Sequence, residues 1–160
     1  MNAFARGASC YARNARLQQA VAWRLARHCR DLPLPEGPVV DLGAGSGNLS
    51  RALSAQRPGL DPLLVDNCPE LLAEAAAPAG RCRPWDLNAG LPPEARAAAL
   101  LLSSFALHWL KAPEQQLRHW CEQLLPGGWL ALAVPLQGSF TSRHQAAEGA
   151  VVACSALPLP

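Results

Sequence analysis

Residues 38–56 read Pro-Val-Val-Asp-Leu-Gly-Ala-Gly-Ser-Gly-Asn-Leu-Ser-Arg-Ala-Leu-Ser-Ala-Gln. A short apolar run ends in an acid, Asp41. It then breaks into glycines at alternate positions, Gly43, Gly45 and Gly47, and resumes as a helix-forming stretch. The run predicts a buried strand, the glycines a turn whose backbone can approach a ligand without Cβ interference, and the rest a helix. Amides at the start of that helix are placed to meet a carboxylate or phosphate.

The loop discriminates among ligand classes. A phosphate-cradling P-loop needs Gly-Lys-Ser/Thr, and Asn48 and Leu49 stand there instead. A dinucleotide fingerprint needs a sixth-position glycine, which is also Asn48 here. Asp41 favours a third class, because a strand-end carboxylate can hold an ammonium group or its solvent shell. That is what an amino-acid-bearing nucleoside would present.

The surrounding chain repeats the alternation. Residues 63–66 (Leu-Leu-Val-Asp) predict a second strand, followed by a helix over about 69–77. Residues 82–86 predict a third, which Pro84 confines to an edge. Residues 97–103 predict a fourth, residues 113–125 a helix ending at Pro126-Gly127-Gly128, and residues 129–134 a fifth strand. Mostly apolar strands alternating with helices predict an α/β fold with a parallel sheet covered on both faces. After Gly138 the pattern weakens. A helix over 139–149 and a brief strand over 151–154 are the readings there, and a sheet stopping at the fifth strand would leave an apolar edge. Upstream, Leu17, Val21, Leu25 and Cys29 recur every four residues, which predicts an amphipathic helix over about 14–30.

Length and charge bound the rest. The 160 residues suit one domain, and 50% apolar content excludes wholesale disorder. The first 30 residues hold six arginines and no acid, whereas the remainder holds eight basic and twelve acidic side chains. A net charge of +2 gives no support for a nucleic-acid partner, and no stretch is long and apolar enough to predict a membrane span. The six cysteines include no CxxC pair and no zinc spacing, so no metal is expected. No secretory apolar segment precedes them, which predicts reduced thiols and a cytoplasmic location.

Further site residues follow from the strand ends. Asp66 closes the second strand and can accept both hydroxyls of a ribose. Asp86 follows the third and can accept from an adenine amino group, with Trp85 or Leu87 against the ring. Ser103 or Ser104, closing the fourth, can touch the methionine-like part of a cofactor. His108 is a candidate proton acceptor and equally a packed structural histidine.

Asp41–Gly47 (DLGAGSG), residues 63–72 (LLVDNCPELL), 103–109 (SSFALHW) and 124–134 (LLPGGWLALAV), in that order, resemble the class I S-adenosylmethionine-dependent methyltransferases. Residues 4–25, 103–128 and 135–146 are similar, more narrowly, to the malonyl-[acyl-carrier protein] O-methyltransferases of biotin synthesis. The resemblance covers roughly residues 4–147. It implies a Rossmann-like open sheet with flanking helices, divided into an N-terminal helix (1–35), a cofactor-binding core (36–138) and a shortened tail (139–160). It implies that Gly43, Gly45 and Gly47 line the methionine side of S-adenosylmethionine, that Asp41 helps position its amino group, and that Asp66 binds the ribose. Asp86 would lie near adenine, and Tyr11 would close over the site and contact the substrate carboxyl. The arginine-rich start would suit an acidic acyl-carrier protein bearing a malonyl group. The family's usual Phe-Asp at the fourth strand is Ala98-Ala99 here, and its last helix and antiparallel strand pair, with their substrate-covering basic residues, are not matched. The residues therefore leave open a methyltransferase acting on another small acid or a protein, and a truncated remnant that binds cofactor without catalysing transfer.

Overall fold

A computed structural model describes residues 8–75, 77–135 and 151–155, with side chains from residue 16 onward except at 79 and 151–155. Ten elements set the frame. They are α1 (Ala8–Cys29), β1 (Val39–Leu42), α2 (Asn48–Gln56), β2 (Leu63–Asp66), α3 (Pro69–Glu74), β3 (Cys82–Pro84), β4 (Ala98–Ser104), α4 (Pro113–Glu122), β5 (Leu124–Ala133) and β6 (Val151–Ser155). The sheet order is β3-β2-β1-β4-β5-β6, parallel throughout except for β6.

Strand alternation distributes the core over two faces. Leu100 and Leu102 of β4 and Ala131 and Ala133 of β5 face Leu49, Ala52 and Leu53 of α2 and Val21, Ala22, Leu25, Ala26 and Cys29 of α1. Val40, Leu42, Leu101, Leu130 and Leu132 form the other face, closed by Trp120 of α4 with Leu87, Leu91 and Leu107. The stripe read from the sequence is thus the one α1 buries, while Arg16, Arg24, Arg27 and Arg30 are exposed. Burial raises the Cys29 thiol to about 11, so it stays protonated and packs as a small apolar group.

Three expectations change. The helix over 113–125 ends at Glu122, and β5 already begins at Leu124. Pro126-Gly127-Gly128 is therefore a bulge inside a strand, where β5 advances from Leu124 to Trp129 while β4 advances only from Ala98 to Leu100. Gly128 has no room for a side chain, because a Cβ would lie 2.7 Å from the Ala98 carbonyl. Second, the apolar edge is covered: β6 pairs antiparallel with β5 from Trp129↔Ser155 to Ala133↔Val151. Third, α3 stops at Glu74, short of the expected 77. The expected helix over 139–149 lies outside the described residues. Pro84 does sit on the edge strand, β3. Among the described residues no helix is long and apolar enough to cross a membrane.

Candidate functional site

β1 and β4 are neighbours, and chain order runs outward from them in opposite directions. A crevice opens outside the carboxyl ends of such a strand pair, because the following loops diverge to opposite sides. The glycine loop leaves β1 at this place and the 105–110 segment leaves β4.

The loop is fixed by backbone bonds. Gly43 and Ala44 donate to the Val65 carbonyl at 2.8 and 3.0 Å, and Gly47 donates to Ala44 at 2.9 Å. All three glycines have left-handed φ, +71°, +53° and +76°. They differ in what surrounds them. A Cβ at Gly43 would lie 2.2 Å from the Ala106 Cβ, and one at Gly47 would press on Ala75 and Leu64 at 3.1 Å. A Cβ at Gly45 would meet nothing within 4 Å. Gly43 and Gly47 therefore serve close packing, and Gly45 presents bare backbone to open space, which suits a ligand that must lie against the main chain.

Asp66 joins this loop to β2. Its Oδ2 accepts from the Gly45 amide at 2.8 Å and its Oδ1 from the Cys68 amide at 2.9 Å. Each carboxylate oxygen keeps a second lone pair, so a vicinal diol can still be accepted. Asp86 is exposed and caps the 3₁₀ turn Leu87–Ala89 through its Oδ1, which accepts from the Asn88 backbone and side chain at 2.9 and 2.8 Å. Those bonds hold its carboxyl below the usual carboxylate range. Its Oδ2 takes no part in them. Trp85, anchored by its indole N–H to the Gly90 carbonyl at 2.9 Å, is half-buried beside it, whereas Leu87 is in the core and cannot lie against a ligand ring.

Two expected contacts are placed differently. Asp41 is 1% exposed, and its Oδ2 accepts from the Ser50 hydroxyl at 2.7 Å and the Ser50 amide at 3.2 Å. It anchors α2 beneath the loop, so any help to a bound ammonium group is indirect. Burial, opposed by the two Ser50 bonds and reinforced by the nearby Asp66 charge, raises its carboxyl to about 6. Ser103 is also 1% exposed, and its hydroxyl donates to the Leu42 carbonyl at 2.8 Å. That bond ties β4 to β1 and leaves Ser103 no donor for a cofactor. Nothing in the sequence identified Ser50 as the partner of Asp41, since the pairing depends on α2 folding back over β1.

His108 is exposed in the 3₁₀ turn Leu107–Trp109, its ring 5.1 Å from that of Trp109 and tilted by 40°. It is not a packed core histidine. Partial desolvation lowers its pKa, which favours the neutral imidazole that a proton acceptor requires. Trp109 is 73% exposed. Tyr11 lies in α1, but its side chain is outside the described residues.

Residues 11–154 match the methyltransferase domain family. The chain is 35% identical over 118 residues to a trans-aconitate 2-methyltransferase of Mycobacterium tuberculosis, across 71% of this chain and 42% of that protein. It is 36% identical over 152 residues to the biotin biosynthesis bifunctional protein BioCD of Bordetella avium, across 89% of this chain and 31% of that one. The chain thus spans less than half the length of these relatives. Among solved structures, an S-adenosylmethionine-dependent methyltransferase of Mesorhizobium loti superposes with a TM-score of 0.57 at 28% identity, covering 74% of this chain and 54% of that one. Fold, loop geometry and family match agree, and the chain belongs to the class I methyltransferases, whose cofactor is S-adenosylmethionine.

Proposed function

We propose that this chain forms the cofactor-binding part of an S-adenosylmethionine-dependent methyltransferase whose acceptor is the carboxylate of a small acid. The observation that carries the cofactor part of the reading is the junction of Gly45 and Asp66, an open stretch of backbone locked to a strand-end carboxylate. Gly45 would hold the methionine end of the cofactor, Asp66 the ribose, and Trp85 with Asp86 the adenine. When bound, S-adenosylmethionine would supply an electrophilic methyl group, the electron pair of its C–S bond staying with sulfur as the acceptor oxygen bonds to carbon.

A carboxylate acceptor is already ionised at neutral pH, so the chain need not provide a strong base. Its residues would act by holding the two reactants in line and keeping water out. His108 and Tyr11 would serve the acceptor side. The small-acid reading takes its support from the trans-aconitate methyltransferases among the relatives. Transfer to a malonyl group on a carrier protein is the second reading, supported by the similarity to the Bordetella protein along 89% of the chain and by the exposed arginines of α1. The arginines would meet the acidic surface of such a partner.

Titration calorimetry of the folded chain with S-adenosylmethionine and S-adenosylhomocysteine tests the cofactor assignment. Micromolar binding is expected, weakened about tenfold or more in Asp66→Ala, which loses charged hydrogen-bond acceptors. A folded chain that binds neither compound would refute the assignment. Transfer of labelled methyl to trans-aconitate, other small di- and tricarboxylic acids and malonyl-carrier protein then separates the two readings.

A further inference from the structure

The last residue of β4 carries an unused donor. Ser104 is only half-buried as a residue, yet its Oγ is shielded from solvent and has no hydrogen-bond partner. Its neighbour Ser103 shows the contrast, with its hydroxyl committed to the Leu42 carbonyl. An orphaned buried hydroxyl is unfavourable, so proteins rarely keep one without a use.

The next residue is strained. Phe105 has φ +56°, one of two non-glycine residues with positive φ among those described, and its amide donates to the Ala133 carbonyl at 2.8 Å. Left-handed backbone in a bulky residue persists where the surroundings impose it, and it concentrates at ligand sites. The turn brings Ala106 against Gly43, where no side chain would fit. Ser104 therefore closes β4 two residues before Ala106, which packs on the glycine loop, and four before His108. By strand alternation it shares the sheet face of Leu100, Leu102 and α2.

We infer that Ser104 is a substrate-binding residue whose hydroxyl donates to the carboxylate of the methyl acceptor. The inference rests on the methyltransferase reading above and deepens it. The Ser104 hydroxyl is held in place by no existing bond, so it can turn toward an acceptor oxygen without breaking one. Donation goes to the carboxylate oxygen that does not attack, which orients the acid and leaves the other oxygen nucleophilic.

The experiment uses the 160-residue chain saturated with S-adenosylhomocysteine and titrated with trans-aconitate and the same panel of small acids, in wild type, Ser104→Ala and Ser104→Thr. Ser104→Ala should weaken the acid about tenfold or more, leave S-adenosylhomocysteine affinity within about twofold, and leave thermal stability unchanged or slightly raised. Ser104→Thr should restore most of the acid affinity. Where transfer is measurable, KM for the acid should rise more than kcat falls. Equal acid affinity in wild type and Ser104→Ala would overturn the assignment while the methyltransferase reading stands. A loss confined to S-adenosylhomocysteine would make Ser104 a cofactor contact and would also overturn it. If wild type binds S-adenosylhomocysteine but no acid of the panel, the small-acid reading fails and this inference falls with it.

Discussion

Asp41 shows how one buried group can link the fold to its ligand loop. Its carboxylate is fully enclosed beneath α2, held by two bonds from Ser50, with a pKa of about 6 in the folded chain against 3.8 ordinarily. Between those values the folded chain binds a proton that the unfolded chain has released. The contribution of Asp41 to stability is therefore greatest below about pH 4, falls as pH rises through 6, and levels off above it. The rise from 3.8 to about 6 corresponds to about 3 kcal/mol across that window. Asp41→Asn carries no titrating charge but can still accept from Ser50. Denaturant unfolding from pH 4 to 7.5 should show the variant gaining on wild type by up to that amount as pH increases. Parallel stability profiles would mean that Asp41 does not titrate in this range. The place of Asp41 in β1, just before the glycine loop, was legible in the sequence. Its burial was not legible, because that depends on Ser50, nine residues later, returning over it.

At the scale of the element, the β1–loop–α2 unit separates packing from binding within three glycines. Gly43→Ala meets both a left-handed φ and a Cβ contact of 2.2 Å to Ala106. It should destabilise the chain by about 2–4 kcal/mol through overpacking and backbone strain. Gly45→Ala keeps only the strain, about 1 kcal/mol, but its methyl group enters the space where the ligand would lie. Thermal melts and cofactor titrations should therefore rank the two variants in opposite order, with Gly43→Ala worse in stability and Gly45→Ala worse in affinity per folded molecule. The same ranking in both measurements would refute this division. Strand–loop–helix order was readable here because a glycine triplet between an apolar run and a helix former has few alternatives. Pairs of like residues were harder. Ser103 and Ser104 are indistinguishable in sequence, yet alternation turns one hydroxyl into the strand pairing and leaves the other without a partner. Pro126-Gly127-Gly128 likewise read as a helix-ending turn, because the bulge it forms depends on register with β4.

Across the whole molecule, the sequence supplied the strands but not their order. That β1 and β4 meet at the centre, and so create the crevice, is a fact of long-range pairing. The β6 strand marks the same limit. Residues 151–154 looked like a weak strand with no assigned place, whereas they run antiparallel along β5 and remove the apolar edge that an all-parallel sheet would have exposed there. Ending the chain at Gly138 tests what this pairing contributes. It would uncover the backbone of Trp129–Ala133 on a strand whose alternate side chains already fill both core faces. The loss of several ladder bonds, each worth about 1 kcal/mol net, should lower the melting temperature by about 5 °C or more. The bare edge should also make the shortened chain self-associate as its concentration rises, visible by light scattering. Cofactor affinity per folded molecule should change little, because Gly45 and Asp66 belong to the β1–β2 side of the sheet, with β4 between them and β5. A shortened chain that melts where the full chain does and stays monodisperse would show that β5 needs no cover, and that its edge is protected by the bulge at Gly127–Gly128 instead.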